Sequence, residues 1–512
     1  MLKINKDLFD RWHRLNVRYC HWKSNDTLSQ SLDGIGGFDL DIFVYRNDYA
    51  LAVEGLVQTG FIRVESGPGK SVDGVEGYLG CDTETDGQSY IHLHYRLVTG
   101  PELTKGYILP FEELIIQTRF RDPDYDVFRP DPSLELILHY FRASLKVSYI
   151  TVIQEVMSGK LWFRGKWVRQ SEFLSLQVED YSLDLMLKKV LCKEGITLFK
   201  SLLLSPPSAR QLLSFREVWL GASEESLRQR GSLSTFVSLV YRRTIQINKV
   251  LLRRFSPEVI ILPKKKIPHG GTFVAFVGAD GSGKSTVVQK IQKHFSWKLE
   301  VHVGYLGGLG GQFMLSRPIL SLIRPFVKLM VGGGNAKVTE GNAQPKSLIR
   351  IFVRSVWAVF LSREKRKSFV KMCQARNRGV VVLSDRFPQA LVPGEIDGPL
   401  IGEEIRHLSP ILFYLGKKED ELFRLVARQR CDLIIFLDVD TETTVKRLKS
   451  LNVDRAHHRI ERTRAAFSGL ENVVVIDANR SLDEVLIDVK RVVWKCIAGF
   501  RGSDSFRPAQ IT

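Results

Sequence analysis

The chain reads as an α/β protein in three parts: a mixed α+β region, a helical stretch, and a three-layer α/β region built on a parallel sheet. Three observations carry this reading. After residue 271, short continuous apolar runs recur between helical segments, which is how strands covered on both faces of a parallel sheet look. Between 134 and 255, apolar residues fall at three-to-four spacing. In the first 130 residues, period-two runs surround polar turns.

Size and composition agree. With 512 residues, 44% of them hydrophobic, the chain exceeds one ordinary core and implies two or three packed units. It contains no stretch of about 18 uninterrupted apolar residues, and its start, "MLKINKDLFDRWHRLNVRYCHW", carries charge where a signal peptide needs an apolar segment. A cytoplasmic location is the expectation. Cys20, Cys81, Cys192, Cys373, Cys431 and Cys496 lie far apart with no C-x-x-C pair, which indicates neither a zinc site nor a disulfide framework and predicts reduced, buried thiols.

In chain order, residues 1–130 hold the strand-like runs "FDLDIFVY" and "YIHLHYRLV" around the polar turn "CDTETDGQ". Residues 131–261 form a helical connector, with "LELILHYFRASLKVSYITVIQEV" and "YSLDLMLKKVLCKEGITLFKSLLL" as its clearest helices. The segment "LPKKKIPHGG", residues 262–271, interrupts the apolar patterns with two prolines and two glycines and is expected to be a linker. From 272 to 498 the strand candidates are "TFVAFVG", "GVVVLSD", "DLIIFLDV" and "NVVVID"; the closing "RGSDSFRPAQIT" is polar and expected to fray.

A formal net charge of +18 fits nucleic acid, an anionic membrane or phosphorylated substrates, and charge alone does not choose. Basic residues recur inside helical apolar patterns, at 240–255 and 316–331, rather than in one basic arm. Such segments fit either side chains snorkelling from core helices or a peripheral membrane contact.

The most specific signal is "GADGSGKS", Gly278 to Ser285, which satisfies G-x-x-x-x-G-K-[ST] in full. It follows an apolar strand and opens the helix "KSTVVQKIQKHF", so backbone N–H groups and the helix dipole face an anion. Gly281 and Gly283 let the loop curl around phosphate oxygens, Lys284 would bridge β- and γ-phosphates, and Ser285 would offer its hydroxyl to Mg²⁺. Gly278, Asp280, Ser282 and Thr286 complete the nucleotide-binding set.

A phosphate loop specifies a nucleotide and not a reaction, so the other strand ends matter. "VVLSDRFP" supplies Asp385, placed to hold the metal's water shell, and Arg386, placed to fork onto a phosphate. "LDVDTETTVKRLKSLNVDRAHHRIERTR" supplies Asp438 and Asp440, then Arg447, Arg455, Arg459, Arg462 and Arg464. These arginines fit either a solvated helix face or a mobile lid that neutralises the phosphoryl group in flight.

Together, "FVGADGSGKST", the "DR" of "SDRFP", the "LDVD" strand end with its arginine-bearing sequel, and "VVVIDANRSLDEV" resemble the thymidylate kinase family of nucleoside monophosphate kinases over residues 272–498. The resemblance implies ATP in the phosphate loop, Mg²⁺ and acceptor phosphate handled by Asp385 and Arg386, Arg455 and Arg459 in a catalytic lid, and Asn479 and Arg480 bordering adenine. "LSREKR" is similar to the family's acceptor helix and makes Arg363 a contact for the acceptor phosphate. Asp280 matches the carboxylate that accepts the acceptor's sugar hydroxyl. Val277 stands where the family usually has Glu, and "PQALVPGEIDGPL" replaces its polar residues after Asp-Arg-aromatic.

In the first region, "YCHWKSNDTLSQSLDGIGGFDLDIFVY" puts Asp39 and Asp41 on one face of a strand, an arrangement that can hold divalent metal. The segment resembles the polymerase-β type of nucleotidyltransferase, which implies a nucleotidyltransferase-like fold with His92 where a third carboxylate is expected and His94 two residues on. Active nucleotidyl transfer, a regulatory remnant and plain structural use are all compatible with these residues. Fusions of this appearance resemble proteins of bacterial surface-polysaccharide synthesis. The primary expectation is therefore phosphoryl transfer from ATP to a nucleoside monophosphate. A sugar or glycan intermediate is the alternative acceptor, and an ATP-driven conformational switch is a third reading. The expected partners are a nucleotide and a phosphorylated small molecule, not nucleic acid; a homodimer is compatible with the sequence.

Overall fold

The computed structural model describes residues 1–35, 37–67, 71–101, 105–221, 227–228, 240, 244, 247, 264–307, 348–394, 396–448, 452–467 and 470–499. The basic segment 316–331, nearly all of 240–255 and the closing "RGSDSFRPAQIT" lie outside the described residues. The chain divides into two compact units, Met1–Lys265 and Lys266–Thr512.

The first unit places β1 (Tyr19–His21), β2 (Leu40–Val44), β5 (Gln88–His94), β4 (Val75–Cys81) and β3 (Ile62–Ser66) side by side in that order. β2 and β5 run parallel, with Asp41 opposite His92, while the neighbouring pairs are antiparallel. The two-residue period divides β2 between two cores. Leu40, Ile42 and Val44 pack with Leu8, Phe9 and Trp12 of helix α1 (Lys3–Arg14). Phe43 faces the other way, into a cluster with Trp22, Leu97 and the helices beyond residue 131. Asp41 shares the parity of Phe43, so its carboxylate lies on the helix-covered face.

That covering is centred on α2 (Pro132–Lys146), which starts with Asp131 accepting from the Leu134 N–H and proline at its first turn. Every residue from Ser133 to Leu145 is buried, so α2 is enclosed on all sides. Its apolar side chains join those of α3 (Lys166–Ser175) and later helices in the cluster that contains Trp22 and Phe43. The helical stretch therefore shares a core with the mixed region.

The second unit is built on five parallel strands: β6 (Phe273–Gly278), β7 (Val301–Tyr305), β8 (Val381–Asp385), β9 (Leu433–Asp438) and β10 (Val473–Asp477). Their spatial order is β7-β8-β6-β9-β10. The four apolar runs expected to be strands are strands. Val381, Val382, Leu383 and Phe273 to Phe276 are completely buried, and each of the Val, Leu and Phe side chains contributes roughly 1.5–3 kcal/mol by leaving water. Helix α4 (Lys284–Phe295) packs against α9 (Leu482–Ile497), where the Phe295 and Trp494 rings stack at 6.2 Å. Helices α5 (Leu348–Asn377) and α6 (Pro410–Arg428) form a second pair.

None of the six cysteines is in a disulfide; Cys20, Cys81, Cys373 and Cys431 are buried, whereas Cys192 is exposed, contrary to the expectation of uniformly buried thiols. Among the described residues no helix is long and apolar enough to cross a membrane.

Candidate phosphate-transfer site

The order of the second sheet puts β6 between β8 and β9, so the carboxyl ends of all three strands open onto one crevice. β6 ends at Gly278, whose φ of 153° and close neighbours require glycine: a Cβ there would lie 2.6 Å from the Leu437 carbonyl oxygen. Gly281 and Gly283 have φ of 86° and 87°, and Gly283 caps α4 in the left-handed conformation. The loop thus curls before the helix as the motif requires. The buried Ser282 hydroxyl has no hydrogen-bond partner, and Thr286 is exposed in the first turn of α4.

Lys284 is 7% exposed and donates to the Ala279 carbonyl at 2.7 Å across the loop. Burial, reinforced by Arg386, pushes its ammonium down to about 8. Ser285 Oγ donates to Asp385 Oδ2 at 2.6 Å, joining the start of α4 to the end of β8. Asp385 Oδ1 is buried and without a partner. A carboxylate oxygen in that state beside a hydroxyl suits a hard divalent cation, so Ser285 and Asp385 fit Mg²⁺.

Arg386 leaves β8 with φ of 82°, and its N–H bonds the Phe276 carbonyl at 3.0 Å. A left-handed arginine costs about 1–3 kcal/mol and persists where its surroundings hold it. Its guanidinium reaches Asp280 Oδ1 at 3.2 Å and Asp397 Oδ2 at 3.6 Å. Asp280 also pairs with Arg459 of α8 (Val453–Phe467). Burial works against charge on Asp280, but Arg459, Lys284 and Arg386 together outweigh it and hold the carboxyl below its usual range.

The other arginines divide. Arg447, in α7 (Thr441–Arg447), donates to the Gly281 and Ala478 carbonyls at 3.3 and 2.9 Å, tying the phosphate loop to the end of β10. Arg464 forks onto both oxygens of Asp438 at 3.0 and 3.1 Å, a fixed contact within the fold. Arg455 is exposed and among the described residues has no hydrogen bond or ion pair. Asn479 accepts from the Asp440 N–H at 3.0 Å and donates to Asp477, while Arg480 pairs with Asp488 at 2.6 Å. Asp440 caps α7 through the Thr443 N–H.

Two residues absent from the sequence reading complete the crevice. Lys365 of α5 is 9% exposed and meets Asp397 Oδ1 at 3.2 Å, so Asp397 links Lys365 to Arg386. Arg363, two positions earlier, is exposed, because residues two apart on a helix do not share a face. Lys365 lies within the "LSREKR" segment already marked as the acceptor helix; its burial was the missing information.

In the first unit, Asp39 and Asp41 come together with His92 and His94 as the strand pattern requires. His92 Nδ1 lies 3.9 Å from Asp39 Oδ2 and 3.4 Å from Asp41 Oδ1. Asp41 Oδ1 also receives His94 Nε2 at 3.2 Å and the Lys23 ammonium at 3.0 Å. Burial opposes the Asp41 charge, but Lys23 and the two histidines overcome it and keep the carboxyl well below its usual range. Lys23, His92 and His94 thus all meet the same oxygen of Asp41.

No protein-family model matches the chain. It is 28% identical over 226 residues to the uncharacterized ATP-binding protein YghR of Escherichia coli (strain K12), a match covering 43% of this chain and 86% of the relative. YghS of the same organism, also described as an uncharacterized ATP-binding protein, is 27% identical over 221 residues, covering 42% and 88%. A thymidylate kinase of Pediococcus pentosaceus is 25% identical over 239 residues, covering 44% of this chain and 97% of that enzyme. The chain is thus similar, at low identity and over less than half its length, to ATP-binding proteins and thymidylate kinases.

Proposed function

We propose that the second unit transfers the γ-phosphoryl group of ATP to a nucleoside monophosphate of thymidylate type. The observation that carries this is the bridge formed by Asp280, in the phosphate loop, between Arg386 at the end of β8 and Arg459 on α8. It gathers two guanidinium groups on the acceptor side of a loop whose Lys284 serves the donor. Phosphoryl transfer needs little beyond such placement: reactants held in line and cations where charge moves.

On this reading Lys284 and the N–H groups opening α4 hold the β- and γ-phosphates. Ser285 and Asp385 would hold Mg²⁺, which supplies charge neutralisation between donor phosphates. Arg386, braced by Asp397, faces the acceptor phosphate, and Arg459 exchanges Asp280 for the moving phosphoryl group when acceptor arrives. Asp280, released from one arginine, accepts a hydroxyl of the acceptor sugar. The similarity to thymidylate kinases and ATP-binding proteins supports the donor and the reaction class.

A compound joining adenosine to thymidine through a polyphosphate bridge tests this directly. It is expected to bind at least 10-fold more tightly than ATP, with the advantage lost in Asp280→Asn. Equal affinity for the bridged compound and ATP would remove the nucleoside monophosphate from consideration.

A further inference from the structure

Among its described residues, the first unit holds buried positive charge that no nearby side chain pairs with. Lys23, Arg142 and Lys146 are strung along two buried indoles. Lys23 Nζ lies 4.7 Å from the Trp22 ring centroid, and the Arg142 guanidinium lies 5.5 Å from Trp22 and 5.9 Å from Trp167. Lys146 Nζ is 5.1 Å from Trp167. Arg142 and Lys146 are four apart on α2 and therefore share a face. Arg142 is 7% exposed, yet its Nη1 has no hydrogen-bond partner. Among the described residues neither Arg142 nor Lys146 has a carboxylate within ion-pairing distance.

Among the described residues, Asp41 and Asp26 near this cluster are engaged by other groups, and Glu135 is held by an amide that leaves its Oε1 buried and without a partner. Asp41 is taken by Lys23, His92 and His94, and Asp26 accepts from Arg169 at 3.3 Å. Glu135 Oε2 accepts from Asn25 at 2.7 Å. Ring faces attract cations but do not accept the directed N–H bonds of a guanidinium. Burial, then Arg142, Lys23, Lys166 and Lys105, push the Lys146 ammonium down to about 7. After Lys23 and Asp41 cancel, the Arg142 guanidinium remains with Lys146 beside it, and a guanidinium fork matches phosphate oxygens.

We propose that Arg142 and Lys146, with Lys23 beside them, bind a phosphate-bearing small molecule without a divalent metal. The indoles flank the cations, and of the lysines beside Arg142, Lys146 is half-buried and Lys166 exposed.

The probe is inorganic pyrophosphate, titrated with EDTA present into full-length protein carrying Lys284→Ala, which removes the lysine of the other phosphate site. Calorimetry is expected to show one saturable site, with a matching change in tryptophan fluorescence from Trp22 and Trp167. Arg142→Met and Lys146→Met should each weaken binding at least 10-fold. Should Arg142→Met fail to fold, as circular dichroism would show, the half-buried Lys146→Met decides alone. Absence of binding, or binding undiminished by Lys146→Met, overturns the proposal. So does binding that needs Mg²⁺ and vanishes in the Asp39→Asn, Asp41→Asn double variant, which would mark a metal site there.

Discussion

Ser285 Oγ donates to Asp385 Oδ2 at 2.6 Å, while the other oxygen of that carboxylate is buried and unpartnered. The first residue after the motif lysine is thus fixed to the end of a strand 100 residues later. Asp385→Asn keeps the shape but removes the charge that would hold Mg²⁺. It is expected to lower turnover at least 100-fold and to abolish the gain in ATP affinity that Mg²⁺ confers. Titrations with Mg²⁺ and with EDTA check this; a Mg²⁺ response equal to wild type would place the ion elsewhere.

The Lys284 ammonium, pushed down to about 8 by burial and Arg386, gives a pH signature. Its charged form is the functional one and is present below that value. Because kcat/KM for ATP reports groups of the free enzyme, it should fall about tenfold per pH unit above 8. Lys284→Arg, slower at every pH, should lack this limb, since a guanidinium stays protonated. A limb that persists in Lys284→Arg belongs to another group.

Asp280 is bound to both Arg386 and Arg459. A carboxylate-to-hydroxyl bond contributes about 1.5–3 kcal/mol, so Asp280→Asn should reduce acceptor kcat/KM by about 10- to 150-fold with ATP affinity nearly unchanged. Arg459→Ala should lower kcat more than it weakens ATP binding. Arg455→Ala, at an exposed position without an observed contact, should have the smaller effect. Steady-state kinetics with acceptor varied at saturating ATP separates these outcomes.

Lys365 acts through Asp397, which it shares with Arg386. Lys365→Met should raise the acceptor KM about 10-fold with ATP KM unchanged, and Lys365→Arg should recover most of the loss. A purely structural Lys365 would instead lower thermal stability with both KM values intact.

The phosphate loop and four strands of the second sheet were legible because their signals are local: a complete motif and uninterrupted apolar runs. Val301–Tyr305 was not, because His302 and Gly304 break its apolar character within five residues. Asp397 lies in "PGEIDGPL", which by itself is only a polar turn; Lys365 is 32 residues away, and the fold brings them together. Arg464 looked like its neighbours on the arginine-rich helix, yet Asp438 claims it. Arg142 and Lys146 sit inside "LELILHYFRASLK", whose spacing marks only an apolar helix, and full burial of that helix is what shows Arg142 shut away from solvent.

Incubation of the pure protein with γ-labelled ATP, Mg²⁺ and separate nucleoside monophosphates, followed by mass spectrometry of the products, bears most directly on the proposed reaction. The label should appear on a nucleoside diphosphate, with thymidylate among the acceptors, in step with ADP and not at all with Lys284→Ala. ATP bound but unconsumed with every monophosphate, or label found only on a sugar, would contradict it.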